Sequence, residues 1–459
     1  MIMSSLLFLY FFLPLFIGLY AFVPAKHKAK MLILGECVFL GWRSLYALIP
    51  FAGSMLLAYL LGMTIDNLRF KKRSQGAVLV IALTIELTML GLAVYSMLGF
   101  KGAGTISKLF PPLGVFVYTL AAMSYYLDIY KGVIRCDHRF SLVAAFVGFF
   151  PCLTAGPLMR YGEVSQQFSA PQMSIEKTND GISLYLKGLA EKCIISCTMG
   201  EMWGQLTKID IGSVSAVTAW FGVICAGLYV YFEFASISHM ARGVSLMLGI
   251  ELPVNFDHPF KSVSATEFIG KFNVSVTSWF KSYIYDPVNA LGGRLFMVLG
   301  IILTGTAMSL WYGTSLSRLM FGMYIAVLCI AELLFAGRIL KKLPYVVAMV
   351  INMLLIHLAM VFFVSEDCSY AFSFILAMFG KNGMLIDNLT LHFFENYAVI
   401  MITGLLITTG VFDLAYKRLG RSRHSFIPFL RPLWQLMLLI LSTAFMTGRV
   451  QDFSGLLAL

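Results

Sequence analysis

Long apolar runs separated by short basic turns fill this chain, and many of the runs reach the 17–25 residues that a helix needs to cross a bilayer. Residues 6–23 form the first run. No basic stretch precedes it and Lys26, Lys28 and Lys30 follow it, which predicts a retained helix with its start outside rather than a cleaved signal. The next basic run is Arg69, Lys71, Lys72 and Arg73, so residues 31–62 must cross an even number of times or dip in and return. The short run 31–40 and the GWRSLY that interrupts it favour a short or re-entrant pair. Residues 77–100 then lead out and 113–130 lead back to Lys131, Arg135 and Arg139. Residues 140–158 are apolar until Gly156 and Pro157 break the pattern beside Arg160. The stretch 163–180 reads as a polar loop and 181–200 as amphipathic. Residues 214–248 are too long for a single crossing, and Glu233, Ser236, His239 and Arg242 recur there at every third position. Further runs cover 295–310, 316–335, 346–364, a shorter 370–379, 398–412 and 428–445. The basic loops around Lys26, Arg69, Lys131, Lys341 and Lys417 fall on one side, the cytoplasmic one, which leaves both termini outside. The prediction is an all-α polytopic membrane protein of about eleven transmembrane helices plus re-entrant and amphipathic helices, treated as one domain over residues 1–459.

The stretch 264–289 departs from this pattern. Phe268, Phe272, Val276, Trp279 and Tyr283 recur at helical spacing, and Lys271, Ser275, Ser278 and Ser282 make a second, polar stripe. Ser264 and Glu267 have the spacing of a helix-start cap, and Pro287 predicts a stop by moving Asp286 out of the helical region. A helix this polar among apolar segments either lies at the membrane surface or lines water, substrate or other polar groups.

The whole-chain figures agree: 59% of the 459 residues are hydrophobic and 12% are charged. Mean hydropathy is +0.83. The net charge of +11 sits in the loops, which argues against nucleic-acid binding. The eight cysteines form no Cys-x-x-Cys pair, so neither a metal site nor a disulfide framework is signalled. Cys193 and Cys197 share a helix face and read as small apolar fillers.

Seven segments in order resemble the membrane-bound O-acyltransferase family, in its alginate O-acetyltransferase and teichoic acid D-alanyltransferase branch. They are LFLYFFLPLFIGLYAFVP, GVFVYTLAAMSYYLDIYKG, FFPCLTAGPLMRYGEVSQQF, YVYFEFASISHMARGVSLMLGIELPVNFDHPF, EFIGKFNVSVTSWFKSYIYDPV, SLWYG and VFFVSEDCSYAFSFILAMFG. The resemblance implies a multi-pass bacterial cytoplasmic membrane protein moving an acyl group from a thioester or carrier donor to a hydroxyl of an envelope glycan. No bound cofactor is implied; an envelope-side partner or carrier protein is.

The chain departs from the family at the chemistry. The Leu-Trp-His-Gly motif, whose histidine is the family's general base, reads Leu310, Trp311, Tyr312, Gly313 here, and the family's second His or Asn position is Asn273. The acidic positions of the FDFSGYSDMA pattern read Glu233 and His239, and the Trp and Arg of FWRRWH read Ile269 and Gly270. A base works best with a pKa near ambient pH, so histidine at about 6.5 suits and tyrosine at about 10 does not. Tyr312 and Asn273 can still donate to a developing oxyanion. The histidines nearest in sequence that are able to replace the base are His239, otherwise an ordinary interior histidine, and His258. Arg160, Glu233, Glu267, Trp279, Lys281, Tyr285 and Trp311 are expected along a substrate tunnel. Two activities stay open: an O-acyltransferase with a rewired base, and a lapsed member that binds or conducts an acyl-bearing ligand or partner.

Overall fold

In bilayer-like surroundings a backbone must satisfy its own amides and carbonyls, and a chain of this composition does so as helix. The structure, a computed structural model, describes residues 2–42, 44–98, 104–411 and 427–448, and no strand occurs among them. Among the described residues eight helices are long and apolar enough to span a membrane: Leu45–Phe70, Gly76–Met97, Ala216–Met247, Gly293–Tyr312, Leu316–Leu340, Tyr345–Val364, Asn388–Thr408 and Leu430–Gly448. Two apolar helices, Phe8–Phe22 and Cys368–Met378, are shorter.

The difference from about eleven lies in particular segments. The apolar run 140–158 yields a helix only over Phe140–Val147, because the backbone turns at residues 150–155. Helix Pro112–Lys131 is long enough but carries Asp128 and Lys131. The run 31–62 becomes two helices, Ala25–Gly41 and Leu48–Phe70, the second of spanning length. The run 214–248 is one unbroken helix of 32 residues, about 48 Å at 1.5 Å per residue, and so longer than the hydrocarbon core. The basic loop at Lys417 to Arg423 lies outside the described residues.

The described residues group into two compact units, Met1–Gly188 with Ile237–Pro253, and Leu189–Ser236 with Val254–Ala458. The first unit packs aromatics along Phe8–Phe22 against Phe39 and Phe150, with ring centroids 5.3 Å apart for Phe16 and Phe150. Its buried Glu86 accepts hydrogen bonds from Ser54 at 3.1 Å and from Tyr126 at 3.4 Å, so each of two neighbouring helices supplies a donor. In the second unit Gly293–Tyr312 closes on Leu316–Ala331 at a glycine. A Cβ on Gly322 would stand 1.7 Å from Ser309 Oγ, so no larger residue fits without parting the helices. This close approach fixes the end of the Gly293–Tyr312 helix, and with it Tyr312.

Candidate functional site

The polar stretch 264–289 is a broken helix. Ser264 caps its start by accepting from Glu267 N at 3.1 Å, as the spacing predicts, while the Glu267 carboxylate reaches back to Val263 N at 2.9 Å. Glu332, from a distant segment, accepts from the Ala265 and Thr266 amides and from Thr266 Oγ1, filling the rest of the first turn. Helix Ala265–Lys271 then stops. Asn273 takes a left-handed conformation at φ 54° and ψ 55°, which asparagine tolerates better than most residues, and the helix restarts over Val274–Phe280. The single continuous helix read from the stripes is therefore corrected to two pieces. The stripes survive because the pieces stay roughly in phase, bridged by Thr277 Oγ1, which donates to Ile269 O and Phe272 O. Pro287 does not stop the helix either. Asp286 stays helical at φ −60° and ψ −43°, and the chain runs on helically through Pro287 to Asn289 directly after a π-helical turn over Lys281–Tyr285.

The break exposes two orphan amides, of Val274 and Ser275, and one residue from another segment satisfies both. Asn255 accepts from Val274 N with its backbone oxygen and from Ser275 N with Oδ1, each at 2.8 Å. Its Nδ2 donates to Asn273 Oδ1 at 2.8 Å. Asparagine at a helix start ordinarily spends its side-chain oxygen on the helix. Here Asn255 has that task, so the Asn273 carboxamide turns elsewhere, and its Nδ2 donates to the Tyr312 hydroxyl at 3.3 Å.

Asn255, Asn273 and Tyr312 are all buried, and Phe234, Phe321 and Phe363 flank the tyrosine ring edge to face at 5.3–6.4 Å. The side chains of Asn255, Asn273 and Tyr312 are polar and uncharged. Tyr312 accepts in its hydrogen bond, and its own proton has no acceptor among the described residues. Beside it Gly313 has φ 144° and ψ 173°, and a Cβ there would lie 1.9 Å from Arg318 Nη1. Thus the Arg318 guanidinium lies against the backbone that carries Tyr312.

The structure brings Asn273 and Tyr312 together, and the other expected site residues have surroundings of their own. Buried Glu233 pairs with Lys192 and accepts from Ser196 Oγ at 2.6 Å. Glu267 pairs with Lys271 at 2.7 Å. Burial alone would raise the Glu267 carboxyl, but Lys271 and the Val263 amide outweigh it and hold the group below its ordinary range. Lys281 is exposed, Tyr285 packs where a Cβ on Gly300 would go, and Trp311 is buried. Trp279 is buried with no hydrogen-bond partner for Nε1 among the described residues. His258, itself left-handed at φ 47°, meets Thr408 O through Nδ1 at 3.0 Å. His239 and Arg160 belong to the first unit, where Arg160 reaches the exposed Glu163 at 3.9 Å. Among the described residues no group of His, Cys, Asp or Glu is placed to hold a metal, and no disulfide joins the cysteines. Sequence reasoning missed Asn255, Glu332 and Arg318. The one signal available was that Asn255 stands in the NFDHPF segment just before the broken helix.

Fold and site together define a polytopic helical membrane protein whose polar centre is an amide and a phenol, buried where a broken helix meets the end of a spanning one. The chain belongs to MBOAT, the membrane-bound O-acyltransferase family, whose model matches residues 133–365. Among its relatives, the probable alginate O-acetylase AlgI of Pseudomonas aeruginosa is 28% identical over 432 residues, covering 91% of this chain and 80% of that protein. The peptidoglycan O-acetyltransferase of Helicobacter pylori is 24% identical over 437 residues, covering 85% and 82%. The teichoic acid D-alanyltransferase of Bacillus subtilis is 24% identical over 229 residues, covering 47% and 57%. The protein is thus a multi-pass protein of the bacterial membrane.

Proposed function

We propose that this protein is an O-acyltransferase that passes an acyl group, acetyl by its likeness to the two O-acetyl-transferring relatives, to a hydroxyl of a cell-envelope polysaccharide. The donor is a thioester or an acyl-carrier, and an envelope-side partner or carrier protein works with it. The observation that carries this reading is the buried hydrogen bond from Asn273 to Tyr312, which joins the two positions where the family keeps its site.

In such a transfer the acceptor oxygen bonds to the acyl carbon, the bond from that carbon to the leaving sulfur or oxygen breaks, and the acceptor proton ends on the leaving group. Tyr312 donates its free proton to the carbonyl oxygen as negative charge develops there. A donor held in place this way is worth about a hundredfold to a thousandfold. A neutral phenol does not take up the acceptor proton near neutral pH, so an imidazole serves as base. His258 is the first choice. Its Nδ1 meets the Thr408 carbonyl oxygen at 3.0 Å, and a carbonyl only accepts, so Nδ1 donates there. His239 is the other choice. Trp279, Tyr285 and Trp311 remain assigned to the path of the acyl chain, and the Trp279 N–H has no acceptor among the described residues.

A second reading, binding of an acyl-bearing ligand without turnover, is favoured by the lack of charge on both Asn273 and Tyr312. An acyl-transfer assay in proteoliposomes, with an acetyl thioester and extracted envelope polysaccharide, separates the two. Wild type is expected to turn over, Tyr312→Phe to lose about a hundredfold, and His258→Gln a hundredfold or more. A loss confined to His239→Gln moves the base to that residue. Turnover indifferent to all three substitutions defeats the mechanism, and ligand retention with no turnover establishes the second reading.

A further inference from the structure

We infer that Asn255 is a positioning residue that sets the direction of the hydrogen bonds running from it through Asn273 to Tyr312, so that Tyr312 accepts from Asn273 and keeps its own proton for a ligand. The group recognised there is then a hydrogen-bond acceptor such as an acyl carbonyl oxygen. Only the naming of that acyl carbonyl rests on the acyl-transfer reading; the direction of the bonds does not.

The direction follows from one group whose role is fixed. A backbone N–H donates and cannot accept, so the atom of Asn255 facing Ser275 N must be Oδ1. Its other side-chain atom, Nδ2, then faces Asn273 and must find an acceptor, which is Oδ1. That leaves Nδ2 of Asn273 turned to Tyr312, and the phenol oxygen accepts. Both amides are thereby held in one of their two flip states by a helix-start amide, and at the end of the relay the Tyr312 hydroxyl keeps its proton. The backbone of Asn255 is anchored by Val274 N, and Asp257 N donates to Lys271 O at 3.1 Å, so neighbouring segments brace the lock.

The test compares Asn255→Leu and Asn255→Asp in the wild-type and Tyr312→Phe backgrounds, on the full-length protein in detergent. Leucine removes the lock, and Asn273 then turns its oxygen, the better acceptor, toward the phenol. Aspartate keeps an acceptor for Ser275 N, loses the donor to Asn273 when ionised, and regains it when protonated. Raman difference spectra against the matching Tyr312→Phe protein isolate the ring doublet of Tyr312, which reports whether a phenol accepts or donates. The wild type is expected to show the accepting pattern and Asn255→Leu the donating one, with Asn255→Asp passing between them across its titration. Where turnover is measured, Asn255→Leu is expected to lower kcat roughly tenfold with KM little changed, and to have no further effect once Tyr312 is phenylalanine. A donating pattern in the wild type, a doublet that neither variant changes at any pH, or a loss that persists in the Tyr312→Phe background overturns the proposal. The expected spectra without wild-type turnover would sink the acyl-transfer reading and leave the bond directions standing.

Discussion

The fate of single residues shows how far the sequence reaches into this site. Asn273 and Tyr312 are legible because they occupy motif positions, and the structure hydrogen-bonds them. Asn255 is not legible, since its partner is a backbone amide 20 residues away that carries no side-chain signature. The break at Asn273 is hidden for a related reason. Helical spacing of Phe268, Phe272 and Val276 continues across it, and an asparagine at positive φ looks in sequence like any other asparagine. Gly313 offers a residue-scale test. Its φ of 144° suits glycine alone, and Arg318 Nη1 occupies the space of a Cβ. Gly313→Ala is expected to cost about 1–3 kcal/mol in thermal or denaturant unfolding in detergent. Removing the guanidinium with Arg318→Met should recover only part of that cost, because the backbone strain remains. Full recovery would show that the clash alone matters.

At the level of helices, starts are read from sequence better than stops. Ser264 caps as its spacing indicates, yet Pro287, which resembles a stop, lies inside a helical run that continues past it to Asn289. Asp387 shows what local patterns omit. It caps Asn388–Thr408 through Thr390 N at 2.7 Å, and the same carboxylate accepts from Ser215 N at 2.9 Å and Thr218 Oγ1 at 2.8 Å, at the start of Ala216–Met247. One group thus caps two helices. Asp387→Ala is expected to lose about 1–2 kcal/mol, the upper range for one cap. Burial alone would raise this carboxyl, but the Thr390 and Thr218 hydroxyls and the Ser215 and Thr390 amides hold it below its ordinary 3.8. A lowered carboxyl contributes in full above its unfolded value and loses its contribution as pH falls through the folded one. The stability gap between wild type and Asp387→Ala should therefore be constant near neutral pH and narrow below about pH 4. A gap that is the same at pH 3 and pH 7 would show that the carboxylate's charge contributes nothing.

Across the whole molecule, the all-helical membrane class follows from hydropathy alone, because apolar runs in lipid have few alternatives. The number of crossings does not, since residues 140–158 and 113–130 are as apolar as many spans yet end in turns or carry charge. Sidedness is the remaining sequence-derived expectation. Cysteines placed at Lys71 and Lys342, both exposed, should resist an impermeant thiol reagent added outside intact cells and react once the membrane is opened; labelling from outside would reverse the topology. The buried Lys192–Glu233 pair bears on how such a chain is made. Synthesis delivers the lysine 41 residues before the glutamate, so during that interval a side chain destined for a dry interior lacks the partner it has in the finished fold. The pair closes only when Ala216–Met247 arrives, so biogenesis of this half of the protein acquires an order that the finished fold no longer displays.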